Sequence, residues 1–254
     1  KELDINCLTI PSNIGGRFTV LTPVGFLPAI FADIKIDHLN KGANAAKKLI
    51  LNKEMNNNIL LQSASFLYAL KVEKDISQTV FMPYSSKLRN LSFWFVQLWA
   101  ESLGKKYNTR GQIIHTGLTP IPAYGATDQH SQVQLFMEGP YDKSILLLEI
   151  EKFDHDYLLN NPYSQDSLSK LKKYSLGQLC KAELKGTLKA LKENHRPYIH
   201  YTIPVINEES LGSFILFCES LTALMGIYLE INPFDQPGVE LGKKYAYEWL
   251  EDSN

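Results

Sequence analysis

Apolar residues recur along this chain in two rhythms, a three-to-four spacing over long stretches and short unbroken runs between them. The clearest long stretch is 88–105, where Phe95, Leu98, Trp99 and Leu103 recur at helical spacing and predict one amphipathic helix with these four as its buried stripe. Gly104 is expected to end it in a left-handed conformation, with Lys105 and Lys106 just beyond. Further helices are predicted over 20–34 as a core helix despite Pro23 and Pro28, over 38–51 behind an Asp37 cap, and over 58–71. Others follow over 128–137, 175–194 with five leucines inward, 208–231 and 237–250. The short runs 7–10, 79–83, 145–150 and 198–204 predict strands, the third apolar enough to be covered on both faces. Residues 109–127, with three Gly, two Pro and no periodicity, predict a loop.

Strands alternating with helices imply βαβ units, hence an α/β fold with a mainly parallel sheet and helices on both faces. In such sheets ligands bind beyond the carboxyl ends of the strands. Chemistry is therefore expected at the turns after Ile10, after Pro83 and after Pro204.

Composition narrows the picture further. At 254 residues the chain is long enough for one large α/β domain or two small ones, and 44% hydrophobic with 21% charged residues is a globular balance. A net charge of -1 gives no general attraction for nucleic acid or an anionic membrane. No run is expected to span a bilayer, and the chain is expected to be cytoplasmic. Cys7, Cys180 and Cys218 are scattered and without neighbouring ligand types, so they read as reduced core or near-core thiols and no metal site is expected. The chain opens on Lys1 and runs straight into an apolar segment, as expected of a piece of a longer polypeptide.

Four polar constellations carry candidate chemistry, each with a plainer alternative. Gly15-Gly16-Arg17 lets backbone approach a ligand while Arg17 supplies a fixed cation; the alternative is a tight turn with a surface Arg. Gln97 and Glu101 lie one turn apart on a helix flank. The negative helix end and two Trp rings would push the Glu101 pKa upward, toward a useful base; the alternative is a solvated glutamate. His130 follows the glycine-containing segment 125–129 at a helix start, where imidazole stays neutral; the alternative is a capping segment with an exposed His. In 234–243, Pro237 suits the first helical position, so Gln236 sits where free N–H groups attract anions and Lys243 lies about 10 Å further on the same face. A hexose phosphate is of comparable length; the alternative is a capped helix with a solvated lysine. No GxGxxG, Walker A or GxSxG motif is present.

Together, Asn-Ile-Gly-Gly-Arg-Phe-Thr at 13–19, Gln-Leu-Trp-Ala-Glu-Ser-Leu-Gly-Lys at 97–105, Gly-Ala-Thr-Asp-Gln-His at 125–130 and Phe-Asp-Gln-Pro-Gly-Val-Glu-Leu-Gly-Lys at 234–243 resemble the glucose-6-phosphate isomerase family, in order and across nearly the whole chain. The resemblance implies a sugar isomerase (SIS) domain, a flavodoxin-like three-layer α/β/α sandwich with a helical C-terminus. It implies interconversion of glucose 6-phosphate and fructose 6-phosphate without metal or organic cofactor. By the same match Glu101 would be the base, Arg17 would stabilise a cis-enediolate, and His130 and Lys243 would assist ring opening. Gln97, Gln236 and Gly16 would contact the phosphate or nearby oxygens. The family's Ser-Lys-Thr phosphate loop, in a preceding SIS domain, has no counterpart here. The resemblance is thus to the C-terminal half, and it implies a homodimer in which His130 serves the partner's site. One other reading stays open, a non-catalytic sugar-phosphate-binding or dimerisation module, while the joint presence of Glu101, His130 and Lys243 argues against another SIS enzyme.

Overall fold

The computed structural model describes residues 5–160 and 169–252, so Lys1 to Asp4 of the opening run lie outside it. Helix α1 (Pro23–Phe31) starts after Thr22, whose hydroxyl accepts from the Val24 N–H, and Pro23 suits the first helical position. Helix α2 (Ile36–Ile50) follows, then α3 (Ile59–Lys74), capped by Asn58, whose side-chain oxygen accepts from the N–H groups of Leu60 and Leu61. The middle of the chain holds β1 (Gln78–Pro83), α4 (Arg89–Leu103), β2 (Lys105–Tyr107), β3 (Ile113–Thr116) and β4 (Thr119–Pro122). After them come α5 (Val133–Glu138), β5 (Lys143–Ile150), α6 (Leu176–Glu193), β6 (Tyr198–Ile203), α7 (Glu208–Tyr228) and α8 (Glu240–Asp252).

Strands β4, β1, β5 and β6 lie side by side in that order, every neighbouring pair parallel. The two-residue repeat of a strand divides its side chains between two cores. Phe81, Leu146, Leu148 and Ile150 join Leu67 of α3, Phe95 and Trp99 of α4, and Phe214 and Leu221 of α7. Val80, Met82, Ile145 and Leu147 join Phe136 of α5 and Leu184 and Leu191 of α6. The expected α/β/α sandwich with a parallel sheet is what forms. The Phe95 ring lies 4.9 Å from Phe81, tilted against it, and stacks on Trp99 at 5.1 Å, so the stripe predicted for 88–105 is what seats α4 on the sheet.

Several expectations need correction. Cys7 to Ile10 form no strand and are exposed, because an apolar run becomes a strand only beside a partner that takes its backbone hydrogen bonds. Cys7 is accordingly an exposed thiol, while Cys180 is half-buried and Cys218 buried, and all three are free. Helix α1 exists, yet none of its residues is buried, so it is not a core helix. Lys35, not Asp37, is the N-cap of α2, and Asp37 lies in its first turn. Residues 109–127 contain β3 and β4, and 128–137 is split into a 3-10 turn, Thr127–His130, and α5. Leu176 of α6 is exposed. Gly104 is extended, at φ -75° and ψ 100°, and leads straight into β2. Helix α7 is long and apolar enough to cross a membrane, contrary to expectation; half of its most apolar window is buried within the protein, as a core helix requires.

That helix also buries Glu219, whose Oε1 has no hydrogen-bond partner among the described residues. Desolvation pushes its pKa up to about 8. A carboxyl raised in this way is neutral when folded and ionised when unfolded, so stability should fall as pH rises from about 4.5 to about 8. Glu219→Gln is expected to flatten that dependence, a difference of order a few kcal/mol between pH 5 and pH 8 by urea denaturation. Parallel pH profiles for the two proteins would show that Glu219 is not the titrating group.

Candidate active site

The segment 11–17 turns back on itself through Ile14 N to Pro11 O, then enters a 3-10 turn, Gly16–Phe18, that delivers Arg17 into the interior. Arg17 is only 5% exposed. Its fork is fully used: Nε donates to Ser102 Oγ at 2.7 Å, Nη1 to Gln236 Oε1 at 3.1 Å, and Nη2 to Pro233 O at 2.6 Å and Asp235 O at 2.9 Å. Nη1 also faces Glu101 Oε2 at 3.5 Å. Burial lowers the guanidinium pKa, and the Glu101 and Asp235 charges oppose that shift.

Helix α4 supplies two of these partners from its last turn, Ser102 on the buried side and Glu101 on the flank. Gln97, one turn earlier, donates to Glu101 Oε1 at 3.2 Å, as their four-residue spacing requires. The Glu101 side chain stays 31% exposed. Its expected enclosure by two indoles is not found, since Trp99 and Trp94 pack with the core. Glu101 is instead a carboxylate open to solvent on one side, with a buried cation on the other.

Beyond α7 the chain turns through 232–236, where Asn232 Oδ1 accepts from Phe234 N and the Phe234 ring lies 5.4 Å from Phe18. This turn presents Gln236 to Arg17. Pro237 opens a 3-10 turn, Pro237–Val239, rather than the helix itself, and Lys243 follows on α8. Lys243 Nζ lies 2.8 Å from Glu240 Oε1; Glu240 beside it and then Glu101 raise its pKa above the ordinary lysine value. Gly16 carries no side chain, and a Cβ there would meet nothing within 4 Å among the described residues, so its backbone borders open space next to Arg17.

Arg17, Gln97, Glu101 and Gln236 are thus joined directly, Lys243 shares the field of Glu101, and Gly16 adjoins Arg17. His130 is not brought to them: it is exposed, ends the 3-10 turn that precedes α5, and makes none of these bonds. The sequence reading missed Ser102, Lys105 and Asp235. Lys105 is buried, 2.7 Å from both Glu101 O and Asp235 O. A buried Lys has no sequence signal of its own.

The expected turns divide. The one after Ile10 leads to this cluster, whereas those after Pro83 and Pro204 border a separate cavity of about 570 Å³ at the carboxyl ends of β1 and β5, where the strand order reverses. In its wall Asp154 pairs with Lys87, and Asp156 accepts from Ser175 Oγ and Gly177 N at the start of α6. None of the residues predicted for the site lines it.

A parallel sheet between helix layers makes this an α/β protein, and an arginine, a carboxylate and two amides meet beside the last turn of α4. Residues 3–254 match the phosphoglucose isomerase family, and the chain belongs to that family. A glucose-6-phosphate isomerase from Carboxydothermus hydrogenoformans is 40% identical over 251 residues, 98% of this chain and 54% of that protein. One from Thermus thermophilus is 38% identical over 94% of this chain and 56% of that protein. The crystal structure of a glucose-6-phosphate isomerase from Chlamydia trachomatis superposes with a TM-score of 0.84 at 25% identity, covering 97% of this chain and 49% of that one. The chain spans about half the length of the curated relatives it matches.

Proposed function

We propose that this chain carries the proton-transfer half of a glucose-6-phosphate isomerase, a cytoplasmic enzyme of glycolysis and gluconeogenesis. The supporting observation is the joining of Arg17 to Glu101 and Gln236, three residues drawn from the two ends and the middle of the sequence. In this reading Glu101 moves a proton between C2 and C1 of the open-chain sugar, and Arg17 stabilises the cis-enediolate formed between the two transfers. Lys243, and His130 from the partner of a homodimer, assist ring opening. Gln97, Gln236 and the Gly16 backbone orient the phosphate and neighbouring oxygens, remote contacts that hold the reacting carbons in place. The phosphate loop comes from the part of the relatives' length that this chain does not span. No cofactor takes part.

The test is conversion of glucose 6-phosphate to fructose 6-phosphate by this chain alone and then with the remaining half supplied. Activity is expected only in the second case. Binding of fructose 6-phosphate without turnover in a reconstituted dimer would favour the non-catalytic module, a reading that the half-length match also supports.

The partner role of His130, which stands apart from the cluster, has its own test. Dimers of Glu101→Gln and of His130→Ala should each be nearly inactive. Mixing the two pairs an intact Glu101 with an intact partner His130 in one site of each mixed dimer, so about a quarter of the original activity should return. No recovery would place His130 in its own subunit's site or outside the chemistry.

A further inference from the structure

Lys105 opens β2, where its backbone is fixed by antiparallel pairing with Thr116 of β3. Close behind, this hairpin abuts the end of α4: a Cβ on Gly117 would stand 3.3 Å from the Gly104 Cα. The lysine is therefore anchored at its base, and its head bridges two other segments. Nζ donates to Glu101 O and to Asp235 O, each at 2.7 Å, with Asp235 Oδ1 3.4 Å away. An ammonium has three donors, and these three oxygens match them. Glu101 O is one of the carbonyls that a helix end leaves without a backbone partner, and a lysine head is a common way to satisfy it.

Keeping a lysine 8% exposed costs free energy, and burial lowers its pKa, with Asp235 the chief opposing charge. What the charge holds is visible beside it. Between the β2–β3 hairpin and the turn 232–238 lies a cleft of about 450 Å³ bordered by Tyr107, Asn108, Pro237 and Leu241, so close apolar packing does not join the two there. Cations grasp the turn from two sides instead. Arg17 takes Pro233 O and Asp235 O, and Lys105 takes Asp235 O as well, so one carbonyl accepts from both. The residue after that carbonyl is Gln236.

We propose that Lys105 is a positioning residue: it sets the placement of Gln236 relative to Glu101 by tying the last turn of α4 to the backbone of Asp235, 130 residues away in sequence. Its effect on turnover rests on the isomerase reading; the joint itself does not. Without the tie the turn loses one of its two cationic holds, and substrate held through Gln236 drifts relative to the base. Displacements of about 1 Å at such a site cost on the order of a hundredfold in rate.

The test uses the chain supplied with the remaining half of its relatives' length. Lys105→Met is expected to lower kcat for fructose 6-phosphate at least tenfold while KM changes less. Hydrogen exchange of the 232–239 amides should rise about tenfold, with β1 and β5 unchanged. Lys106→Met, which removes an exposed neighbour lying over Tyr107, should match the unaltered protein in both measurements. A folded Lys105→Met protein with undiminished kcat, or with unchanged exchange in 232–239, overturns the proposal. If Lys105→Met does not fold, Lys105→Arg keeps the charge but not the three-donor point, and undiminished kcat there is equally fatal. An unaltered protein without turnover would refute the isomerase reading, and the exchange result alone would then judge the joint.

Discussion

Glu101→Gln is expected to lower kcat for the interconversion of glucose 6-phosphate and fructose 6-phosphate by about 10³-fold in the reconstituted enzyme, with little change in stability. General base catalysis contributes typically 10²–10⁴-fold, and an amide keeps the shape of the carboxylate while lacking its basicity. The fold should tolerate the change. A glutamine carbonyl still accepts from Gln97, which now meets Oε1 at 3.2 Å, and the Arg17 contact given up is a long one, 3.5 Å, to a side chain 31% exposed. Partly solvated pairs of that kind are worth no more than about 1 kcal/mol. A second readout isolates the proton step: uptake of solvent deuterium at C2 of the substrate should vanish with turnover. Deuterium uptake persisting in Glu101→Gln would assign the base to another residue, whatever happened to kcat.

Which parts of this were legible in the sequence follows from how locally each is determined. Helix α4 was, because Phe95, Leu98, Trp99 and Leu103 encode its buried face within four turns, and the spacing of Gln97 and Glu101 guarantees their contact. The strands β1 and β5 were, because central strands are apolar on both faces, and β6, at the far edge of the sheet, showed itself as a short run that buries Tyr201 and Ile203 on one face. Strand β4 was hidden by Pro120 and Pro122. It lies at the edge of the sheet, paired on one side by β1, and there a residue without an N–H is tolerated. Residues 7–10 and helix α1 misled for the opposite reason. Ile5, Leu8, Ile10, Leu27 and Phe31 are as apolar as any core segment yet lie exposed, and nothing in a chain's own pattern says whether it or another polypeptide covers such residues. The site divides in the same way. Arg17, Glu101 and Gln236 were found through their motifs, whereas Lys105 reads in sequence as one of two lysines after a helix. Only its contacts with Glu101 O and Asp235 O distinguish it from Lys106.

Arg17→Lys should do what a substitution preserving charge does not ordinarily do, destabilising the protein by about 2–4 kcal/mol and lowering kcat by more than about 10²-fold. The reason is geometric. Three nitrogens in one plane reach Ser102 Oγ, Gln236 Oε1, Pro233 O and Asp235 O at once, with Glu101 alongside. An ammonium is a single point with three donors on a different stem, so at least two of these acceptors lose their partner in a buried place, at about 1–3 kcal/mol each. The catalytic loss has a separate origin. A delocalised fork held on four sides is preorganised for charge developing on the sugar oxygens, whereas a lysine head must reorganise to meet it. Denaturation midpoints and kinetics therefore report different parts of one residue's work, and ligand separates them. Fructose 6-phosphate should restore part of the lost stability by mass action without restoring kcat. If kcat proved unchanged at a temperature where Arg17→Lys is fully folded, Arg17 would be a structural clasp for 233–236 only, and the cation facing the enediolate would have to come from another residue.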